Sequence, residues 1–513
     1  MTKHGVHKGV FDISESEGVN ESERILTRLC RRSFLSLWSH ANLHTDQDMR
    51  DGKGSAKEFA DVLVVFGDDV IIFSDKHIQF QDEQAIEVAW PRWYKRAIYS
   101  SAKQLYGAMS WLRRFPERIF LDSQCTRRFP VQIPSVGDAR FHLVAVTRGS
   151  FDACVKHFSG SLGSHQIKTD IEGAAHEKTP FTVGVLDRAK HFVHVLDEFS
   201  LEVLMGEMDT ITDFLEYLRA REAFLFDPDT VVVAAGEEQL IAAYLLNSDG
   251  NGHAFLPEIE EKKPDLIFFD ESHYSTLKAR PEYIDMRRQN LQSQFWDHLI
   301  EQFIRLGDPS IVHPDFIQHN NDTEHALRLM AGESRFRRRL LTESIRDVLD
   351  AAKSSPGLRR VRLFSTKQDS NVVYIFLVMP KLSTESYEDY RRHRMAMLHA
   401  YGRCAKLRFP DGSIFIVLGF DHPVKTYDGF SEDLFVFSCG NWDEEARLEA
   451  EKYRKEFGIL EDNANVFEGH RYEFPQLPET DKASVSSRKI AAKMKMKNKN
   501  KSKIAKASRR RNR

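Results

Sequence analysis

Two apolar runs rich in β-branched residues lie side by side in the stretch EFADVLVVFGDDVIIFSDKHI, residues 58 to 78. Each run has the length of a strand, and the Gly-Asp-Asp between them is typical of a tight hairpin turn. The stretch therefore predicts two antiparallel strands with a buried apolar middle. Its polar residues stand at the ends, where Asp61 opens the first strand and Asp75 and Lys76 close the second.

The length of the turn decides which of these ends meet, because side chains alternate between the two faces of a strand. With an even number of turn residues, such as Asp68-Asp69, Asp61, Leu63, Ser74 and Lys76 share a face and Asp75 points away beside Val62. With three turn residues, Gly67 to Asp69, Asp61 and Asp75 share a face and Lys76 points away. Glycine and aspartate suit both forms, and a bulge at the strand end would bring Asp75 and Lys76 to one side. Both registers are open at this point.

Acids and a lysine at the ends of neighbouring strands have the composition of a metal site that cleaves phosphodiester bonds. Carboxylates hold a hard ion such as Mg²⁺, which lowers the pKa of a bound water and neutralises charge on phosphate oxygens. A lysine beside the phosphate positions water and stabilises the transition state. Lys76 follows a run that is expected to be buried, so its ammonium needs a carboxylate or phosphate partner.

The elements that flank the hairpin predict a compact α/β unit. A helix begins at Asn20, where Asn20 and Glu23 fit a capping box, and its apolar face continues to Trp38. A second helix begins near Pro91, a residue that suits the first helical turn, and the strand FHLVAVT follows it.

The chain of 513 residues is too long for one typical domain, and its pattern predicts a mixed α/β (α+β) protein of several domains. Strands and helices alternate again after residue 150, helices then dominate, and a further α/β pattern follows. The predicted segments are a disordered N-terminus (1–19), a first domain (20–150), an α/β middle domain (151–275), a helical segment (276–355), a C-terminal α/β domain (356–477) and a disordered basic tail (478–513).

The helix with SERIL, the hairpin ADVLVVFGDDVIIFSDK and the helix with AKQLYGAMSWL together resemble the restriction-endonuclease-like PD-(D/E)xK nucleases, most of all their nuclease-related branch. The resemblance covers about the first 125 residues and implies an αβββαβ core. In that family an acid opens one strand, a (D/E)-x-K triplet ends the next, and a helix glutamate often completes the metal site. Carried over by position, the implied metal ligands are Asp61, Asp75 and Glu23, the catalytic lysine is Lys76, and Gln104 matches a glutamine that some branches place on the following helix.

The triplet departs from the family pattern at its first position, where Ser74 replaces the acid. Asp75 can substitute through a bulge, an acid such as Glu58 or Glu87 can come in from elsewhere, or the site is inactive. Glu23 is also explained by its capping role alone. These alternatives are not separated by the sequence.

The resemblance implies a nuclease that cuts DNA or RNA with Mg²⁺ or Mn²⁺, of a kind that often works in genome defence or repair. The alternative is a catalytically inactive nuclease-like module that binds nucleic acid or protein, with Ser74 as the lesion. A third interpretation is a nuclease-like subunit that a partner protein completes through the later domains. The sequence has no G-x-x-x-x-G-K-[ST], H-E-x-x-H or G-x-S-x-G motif, which argues against a helicase or ATPase.

Basic and aromatic residues alternate in WPRWYKRAIYSSAK, a combination that can grip a phosphate backbone and stack on bases. The same pattern also fits the start of an amphipathic helix whose cations reach into solvent. The expected nucleic-acid-binding residues are Arg92, Trp93, Lys95, Arg96 and Lys103.

The charge of the chain is unevenly distributed. The overall net charge is −3, and the 14 basic residues after Asp481 are accompanied by no acid, so the rest of the chain carries −17. The basic tail is expected to bind nucleic acid or an acidic partner, or else only to keep the chain in solution.

The cysteines and the hydropathy pattern predict a cytoplasmic protein. The five cysteines are far apart and form no C-x-x-C, which argues against a disulfide framework. No signal-peptide stretch and no apolar run of the roughly 18 residues needed to span a bilayer is present, so no membrane association is expected.

The segment HFVHV carries two histidines, His191 and His194, at a spacing of three. On one strand such residues face opposite sides, so joint binding of a metal is disfavoured and both are interpreted as structural.

Overall fold

A computed structural model describes residues 11, 13, 16–49, 55–159, 163–248, 252–257, 264–306, 320–367, 369–425, 427, 431–440, 442–461 and 468–475. The basic tail and most of the predicted disordered N-terminus lie outside these residues. Helices and strands alternate through the described chain, which confirms the predicted mixed α/β class.

The strands of the described residues form three larger sheets and one short ribbon. In chain order they are β1 (Ser39–Thr45), β2 (Lys57–Phe66), β3 (Asp69–His77), β4 (Arg140–Arg148), β5 (Gln166–Glu172), β6 (Thr182–Val185), β7 (Val193–Asp197), β8 (Val231–Ala234), β9 (Asn247–Ser248), β10 (His253–Ala254), β11 (Leu266–Phe269), β12 (Arg360–Phe364), β13 (Val372–Met379), β14 (Ile414–Asp421) and β15 (Glu432–Ser438).

The helices cover the faces of these sheets. In chain order they are α1 (Glu21–Phe34), α2 (Ile86–Tyr94), α3 (Ser100–Arg114), α4 (Phe151–His157), α5 (Glu198–Glu207), α6 (Ile211–Leu225), α7 (Glu237–Leu246), α8 (His273–Lys278), α9 (Pro281–Asn290), α10 (Gln294–Leu306), α11 (Asn320–Ala331), α12 (Arg335–Lys353), α13 (Tyr387–Arg408) and α14 (Glu444–Phe457). Within the described parts of the chain, none of them is long and apolar enough to cross a membrane.

The first sheet contains the hairpin and has the strand order β1-β2-β3-β4-β7. Strands β1, β2 and β3 are antiparallel neighbours, and β4 and β7 continue the sheet in parallel with β3. Helices α1, α5 and α6 pack on one face through residues such as Phe73, and α2 and α3 pack on the other through residues such as Ile72. The elements from α1 to β4 follow the order α1-β1-β2-β3-α2-α3-β4, which is the expected αβββαβ order when the joined helices α2 and α3 count as one.

The hairpin turn contains two residues, Gly67 and Asp68, because Phe66 pairs with Asp69 across it. Gly67 has a φ of 59°, in the left-handed region that glycine adopts without strain. The turn with an even number of residues is thus the one that forms. In this register Ser74 and Lys76 share one face of the sheet and Asp75 points to the other.

Helix α1 begins as predicted but ends early. The side chain of Asn20 accepts a hydrogen bond from the amide of Glu23 at 3.0 Å, and Phe34 is fully buried at the end of the apolar stripe. The helix stops there because Leu35 takes a φ of 65°. The expected continuation to Trp38 is wrong, since Trp38 reaches the core from the turn that leads into β1.

The second predicted helix starts before Pro91 rather than at it. Helix α2 begins at Ile86, so Pro91 is its sixth residue, and a π-helical turn at Lys95–Tyr99 joins α2 to α3. A proline inside a helix removes one backbone donor, and the local widening of the helix accommodates the mismatch. The expectation that Pro91 lies in the first turn is therefore wrong.

The other two sheets account for the later strands. The second sheet has the order β11-β8-β5-β6 and the third has the order β12-β13-β14-β15. Helix α13 covers one face of the third sheet, while Trp296 of α10 and Leu341 of α12 join the core on its other face. The described residues after 150 show the predicted order, in which strands and helices alternate, helices then dominate and a further α/β pattern follows.

The first sheet does not end near residue 150. Strand β7 pairs in parallel with β4 and belongs to the first sheet, although it lies in the segment assigned to a middle domain. The chain between these two strands contributes β5 and β6 to the second sheet. The two sheets are thus interleaved along the sequence.

Candidate metal centre

Three carboxylates converge at the open end of the hairpin. Glu23 of α1 and Glu58 and Asp61 of β2 each offer an oxygen, and these oxygens lie within 4.8 Å of one another. Asp61 is 8% exposed and Glu23 is 9% exposed, whereas Glu58 is on the surface. The group is therefore enclosed on one side and open to solvent on the other. Its hard oxygen donors are those that Mg²⁺ and Mn²⁺ prefer.

The start of α1 orients Glu23. One oxygen of its carboxylate, Oε2, accepts the amide of Val19 at 2.7 Å, and the other accepts the side-chain amide of Asn20. This is the reciprocal arrangement of a capping box, except that the backbone amide that donates to the glutamate belongs to Val19 and not to the N-cap residue Asn20. The capping role and the place in the carboxylate group are compatible, because a carboxylate has spare lone pairs.

A side-chain hydrogen bond holds Asp61 at the point where the two hairpin strands part. The last pair between β2 and β3 is Val62 with Phe73. Just beyond it, Oδ2 of Asp61 accepts the backbone amide of Asp75 at 2.6 Å. The second oxygen of Asp61 makes no hydrogen bond to a described residue, so it is free to bind a cation.

A β-bulge brings Glu58 to the same side as Asp61. Leu43 pairs with Ala60 but the next residue, His44, pairs with Glu58, so Phe59 is an extra residue in β2. Phe59 and Ala60 accordingly pack into the same core cluster, although strict alternation would separate them. Without the bulge, residues 58 and 61 would face opposite sides of the sheet.

Burial, together with nearby like charges, raises the pKa of Asp61 to about 7. Burial is the largest cause, and the carboxylates of Glu58, Asp75 and Glu23 add to it, while the hydrogen bond from the amide of Asp75 acts in the opposite direction. A divalent cation bound here would favour the ionised form of Asp61. It would neutralise the neighbouring negative charges and replace the hydration that burial removes.

Asp75 does not join the group. Its side chain has no exposed surface and forms an ion pair with Arg148, with Nε 3.0 Å from Oδ2. Burial raises the pKa of Asp75 above its ordinary value even though Arg148 lowers it. The two-residue turn explains the placement, since it turns Asp75 away from the face that carries Ser74 and Lys76. The expectation that Asp75 supplies a ligand through a bulge is not met; the bulge lies at Phe59 and brings in Glu58.

The remaining residues of the triplet lie on the α3 side of the sheet. Ser74 is 1% exposed, and its hydroxyl lies 3.4 Å from the hydroxyl of Ser101 and 3.4 Å from Oε1 of Gln104. Gln104 of α3 therefore contacts the hairpin at the triplet. Lys76 is partly exposed and has neither a hydrogen bond nor an ion pair with any described residue. Its ammonium is thus available to an external group at this end of the sheet.

The aromatic residues of the expected nucleic-acid surface belong to the core. Trp93 is 3% exposed and donates from Nε1 to the carbonyl of Ile78 at 2.6 Å. Trp90 and Tyr94 are also buried, and Tyr94 stacks on His176. The expectation that Trp93 stacks on bases is wrong, because its ring is already packed on both sides.

The cations of the same segment are on the surface. Arg92 bonds to the side chain of Gln84 at 3.0 Å, and Lys95 forms an ion pair with Glu177 at 2.9 Å. Arg96 and Lys103 are exposed. This distribution is that of an amphipathic helix, and it leaves phosphate contacts as the only interaction that these residues offer to a nucleic acid.

Two residues at this end of the sheet make contacts that the sequence did not single out. Arg148 comes from β4 and meets Asp75 only through the parallel pairing of β3 and β4, a contact between residues 73 positions apart. Glu58 was one of two candidate incoming acids, and the other, Glu87, is exposed on α2 outside the carboxylate group. Only the position of the bulge distinguishes them.

Comparison of the chain with family models, curated proteins and solved structures gave no match, so the resemblance to PD-(D/E)xK nucleases rests on its own residues.

Proposed function

We propose that the chain is a nuclease that hydrolyses phosphodiester bonds of DNA or RNA with Mg²⁺ or Mn²⁺ held by Glu23, Glu58 and Asp61. The observation that carries the proposal is the convergence of these three carboxylates at the open end of the hairpin. Lys76, on the α3 side of the same end of the sheet, has no partner among the described residues. The acid missing at Ser74 is replaced, in this proposal, by Glu58. A role in genome defence or repair would follow from the family resemblance alone.

Each residue of the centre has a distinct task. When bound, the ion would lower the pKa of a coordinated water and offset charge on the phosphate oxygens. Asp61 presents one oxygen to the centre while the amide of Asp75 holds the other in place. The ammonium of Lys76 donates hydrogen bonds to a phosphate oxygen or to the attacking water. Arg96 and Lys103, exposed on the helices that cover the sheet, offer charge to the phosphate backbone.

A second candidate function is that of a non-catalytic nucleic-acid or protein-binding module. Two observations favour it: Ser74 is buried against Gln104 where the family has an acid, and the carboxylate of Asp75 is occupied by Arg148. In that case the carboxylates would bind a structural ion or none, and cleavage would be absent. A subunit that a partner completes would behave in the same way when it is alone.

Metal-dependent cleavage by the full chain separates these functions. Single- and double-stranded DNA and RNA are incubated with Mg²⁺ or Mn²⁺ and wild type, Asp61→Asn, Lys76→Ala or Asp75→Asn, and Mn²⁺ binding is measured in parallel. Glu87→Gln is the matched control, since this glutamate lies outside the carboxylate group. The proposal predicts a loss of cleavage of about 100-fold or more in Asp61→Asn and Lys76→Ala.

Binding of Mn²⁺ assigns the cause of each loss. Lys76→Ala and Asp75→Asn should still bind Mn²⁺, and Asp61→Asn should not. Folded wild type that binds Mn²⁺ but cuts no substrate would support the non-catalytic module. Cleavage that persists in Asp61→Asn would place the chemistry elsewhere in the chain.

A further inference from the structure

A second group of metal-ligating side chains lies near the turn end of the hairpin, away from the carboxylates. It consists of His142 on β4, His194 on β7 and Glu222 on α6, each with one ligand atom within 4.8 Å of the others. The parallel pairing of β4 and β7 sets the two histidines close together, since His194 pairs with Val144, two residues beyond His142. Helix α6 crosses this face of the sheet and adds the carboxylate.

Both histidines leave a buried ring nitrogen without a partner. His142 is 4% exposed and His194 has no exposed surface. Nδ1 of His142 and Nε2 of His194 form no hydrogen bond within the described residues. A buried polar atom without a partner destabilises a fold, so two in one group call for a ligand.

The far side of His142 is arranged as in known histidine metal ligands. Its Nε2 lies 2.8 Å from Oδ1 of Asp69. Asp69 also accepts hydrogen bonds from Arg140 and Arg219. Because a carboxylate oxygen accepts the hydrogen bond of Nε2, the lone pair of His142 is on Nδ1, the buried nitrogen that has no partner within the described residues. A carboxylate behind a ligating histidine is the usual outer contact of such sites.

His194 must change its tautomer to bind a metal through Nε2. Arg221 lies 3.3 Å from Nδ1, and because arginine only donates, this contact places the proton on Nε2. Binding through Nε2 would move the proton to Nδ1, so Arg221 would have to give up its contact with this nitrogen.

Glu222 connects the group to solvent. Its side chain is 31% exposed, and Oε2 lies 4.0 Å from Nε2 of His194. An ion can therefore reach the two buried nitrogens from the side of α6, and water can complete its coordination there.

We propose that His142, His194 and Glu222 bind a divalent transition metal of the Zn²⁺ class. Two imidazoles and one carboxylate suit Zn²⁺, Co²⁺ or Ni²⁺ rather than Mg²⁺, which prefers oxygen ligands alone. The ion would join β4, β7 and α6. It would thus link the strands of the first sheet that precede β5 and β6 in the sequence to β7, the strand of that sheet that follows them. This site does not depend on the carboxylate centre or on nuclease activity.

Binding of Co²⁺ to the untagged full chain tests the proposal, because Co²⁺ in a nitrogen–oxygen site has visible absorption bands. Wild type is titrated beside Glu222→Gln, with Glu216→Gln as the matched control, since Glu216 is exposed on the same helix and outside the group. The Asp61→Asn variant tests whether Co²⁺ binds instead among the carboxylates of Glu23, Glu58 and Asp61. The expected result is one Co²⁺ with these bands in wild type, Glu216→Gln and Asp61→Asn, and affinity lower by more than about tenfold in Glu222→Gln.

X-ray absorption of the Zn²⁺-loaded wild type tests the histidines without any substitution. Scattering from two imidazoles is expected. Absence of imidazole scattering, equal Co²⁺ affinity in Glu222→Gln and wild type, or loss of the bands in Asp61→Asn would each overturn the proposal. The last result would mean that the metal sits among the carboxylates.

Discussion

The guanidinium of Arg148 lies against the carboxylate of Asp75, with Nε 3.1 Å from Oδ1 and 3.0 Å from Oδ2. The two residues belong to β3 and β4, which pair in parallel, and the side chain of Asp75 is wholly enclosed. The acid next to the candidate catalytic lysine is thus part of an internal ion pair. The negative charge at the surface of this strand end comes from Glu23, Glu58 and Asp61 instead.

Replacing Arg148 by methionine should destabilise the protein strongly. The substitution leaves the carboxylate of Asp75 buried without a counter-charge, and breaking a buried pair in this way costs about 3–5 kcal/mol. In the double variant Arg148→Met with Asp75→Asn, most of this loss should be recovered. Urea unfolding of the two single variants and the double variant measures the coupling. Additive effects would contradict the pairing.

The stability of the metal-free protein should fall as pH rises towards 7. The folded pKa of Asp61 is about 7, above the value of about 3.9 in an unfolded chain, so the folded state binds the extra proton between these values. The contribution is fully present below about pH 4 and is lost as pH rises through 7. Its upper limit is on the order of 4 kcal/mol for a shift of about three pKa units.

Asp61→Asn should remove this dependence, because the asparagine keeps an acceptor for the amide of Asp75 but carries no charge. In EDTA at pH 8 the variant should therefore be more stable than wild type. Saturating Mn²⁺ should reverse the order, since only wild type gains from binding. Urea unfolding from pH 4 to 8 with EDTA or Mn²⁺ is the measurement. Identical pH profiles of the two proteins would show that the pH dependence of stability does not come from Asp61.

The backbone of Asn42 should influence the metal centre. Asn42 lies in β1 between the pairs that flank Asp61 and has a φ of 55°, which asparagine and glycine tolerate and β-branched residues do not. Asn42→Val should be less stable than Asn42→Gly by about 1–2 kcal/mol and should bind Mn²⁺ more weakly. Thermal unfolding and Mn²⁺ titration check both effects. If valine and glycine behave alike, the conformation of residue 42 is not a constraint.

Trp93 and the neighbouring cations should respond differently to substitution. Trp93→Ala should cost about 3–5 kcal/mol of stability, because the ring is packed in the core. Arg96→Ala combined with Lys103→Ala should change stability by less than about 1 kcal/mol and reduce the salt slope of nucleic-acid binding by about 2. Unfolding curves and binding at several salt concentrations separate the two. A Trp93→Ala variant that stays stable and loses only nucleic-acid binding would support the original expectation that Trp93 stacks on bases.

The parts of the fold that local rules determine were predictable from the sequence. The start of α1 follows from Asn20 and Glu23, and the strands of the hairpin follow from their apolar runs. The two-residue turn was one of two registers that Gly67 and Asp68 permit, so local chemistry alone did not select it. Pairing with β1 and β4 on either side is what fixes it.

The composition of the carboxylate group was only partly predictable. Glu23 and Asp61 were expected at the site, and the structure places them together. To predict Glu58, the position of the bulge at Phe59 has to be known, and this bulge depends on pairing with β1. To predict that Asp75 is buried in an ion pair, it has to be known that Arg148 of β4 lies beside it. Single-residue patterns carry no information about either contact, because both are set by which strands become neighbours.

The place of β7 in the first sheet bears on how the chain is made. During synthesis, the hairpin and β4 leave the ribosome well before β7, and the strands β5 and β6 of a different sheet emerge in between. The edge of β4 must wait unpaired through that interval, which at about 5–20 residues per second lasts for several seconds. A nascent chain paused or cut in this interval presents an open parallel edge to other chains, and the metal ligands of β4 and β7 cannot meet until it has passed.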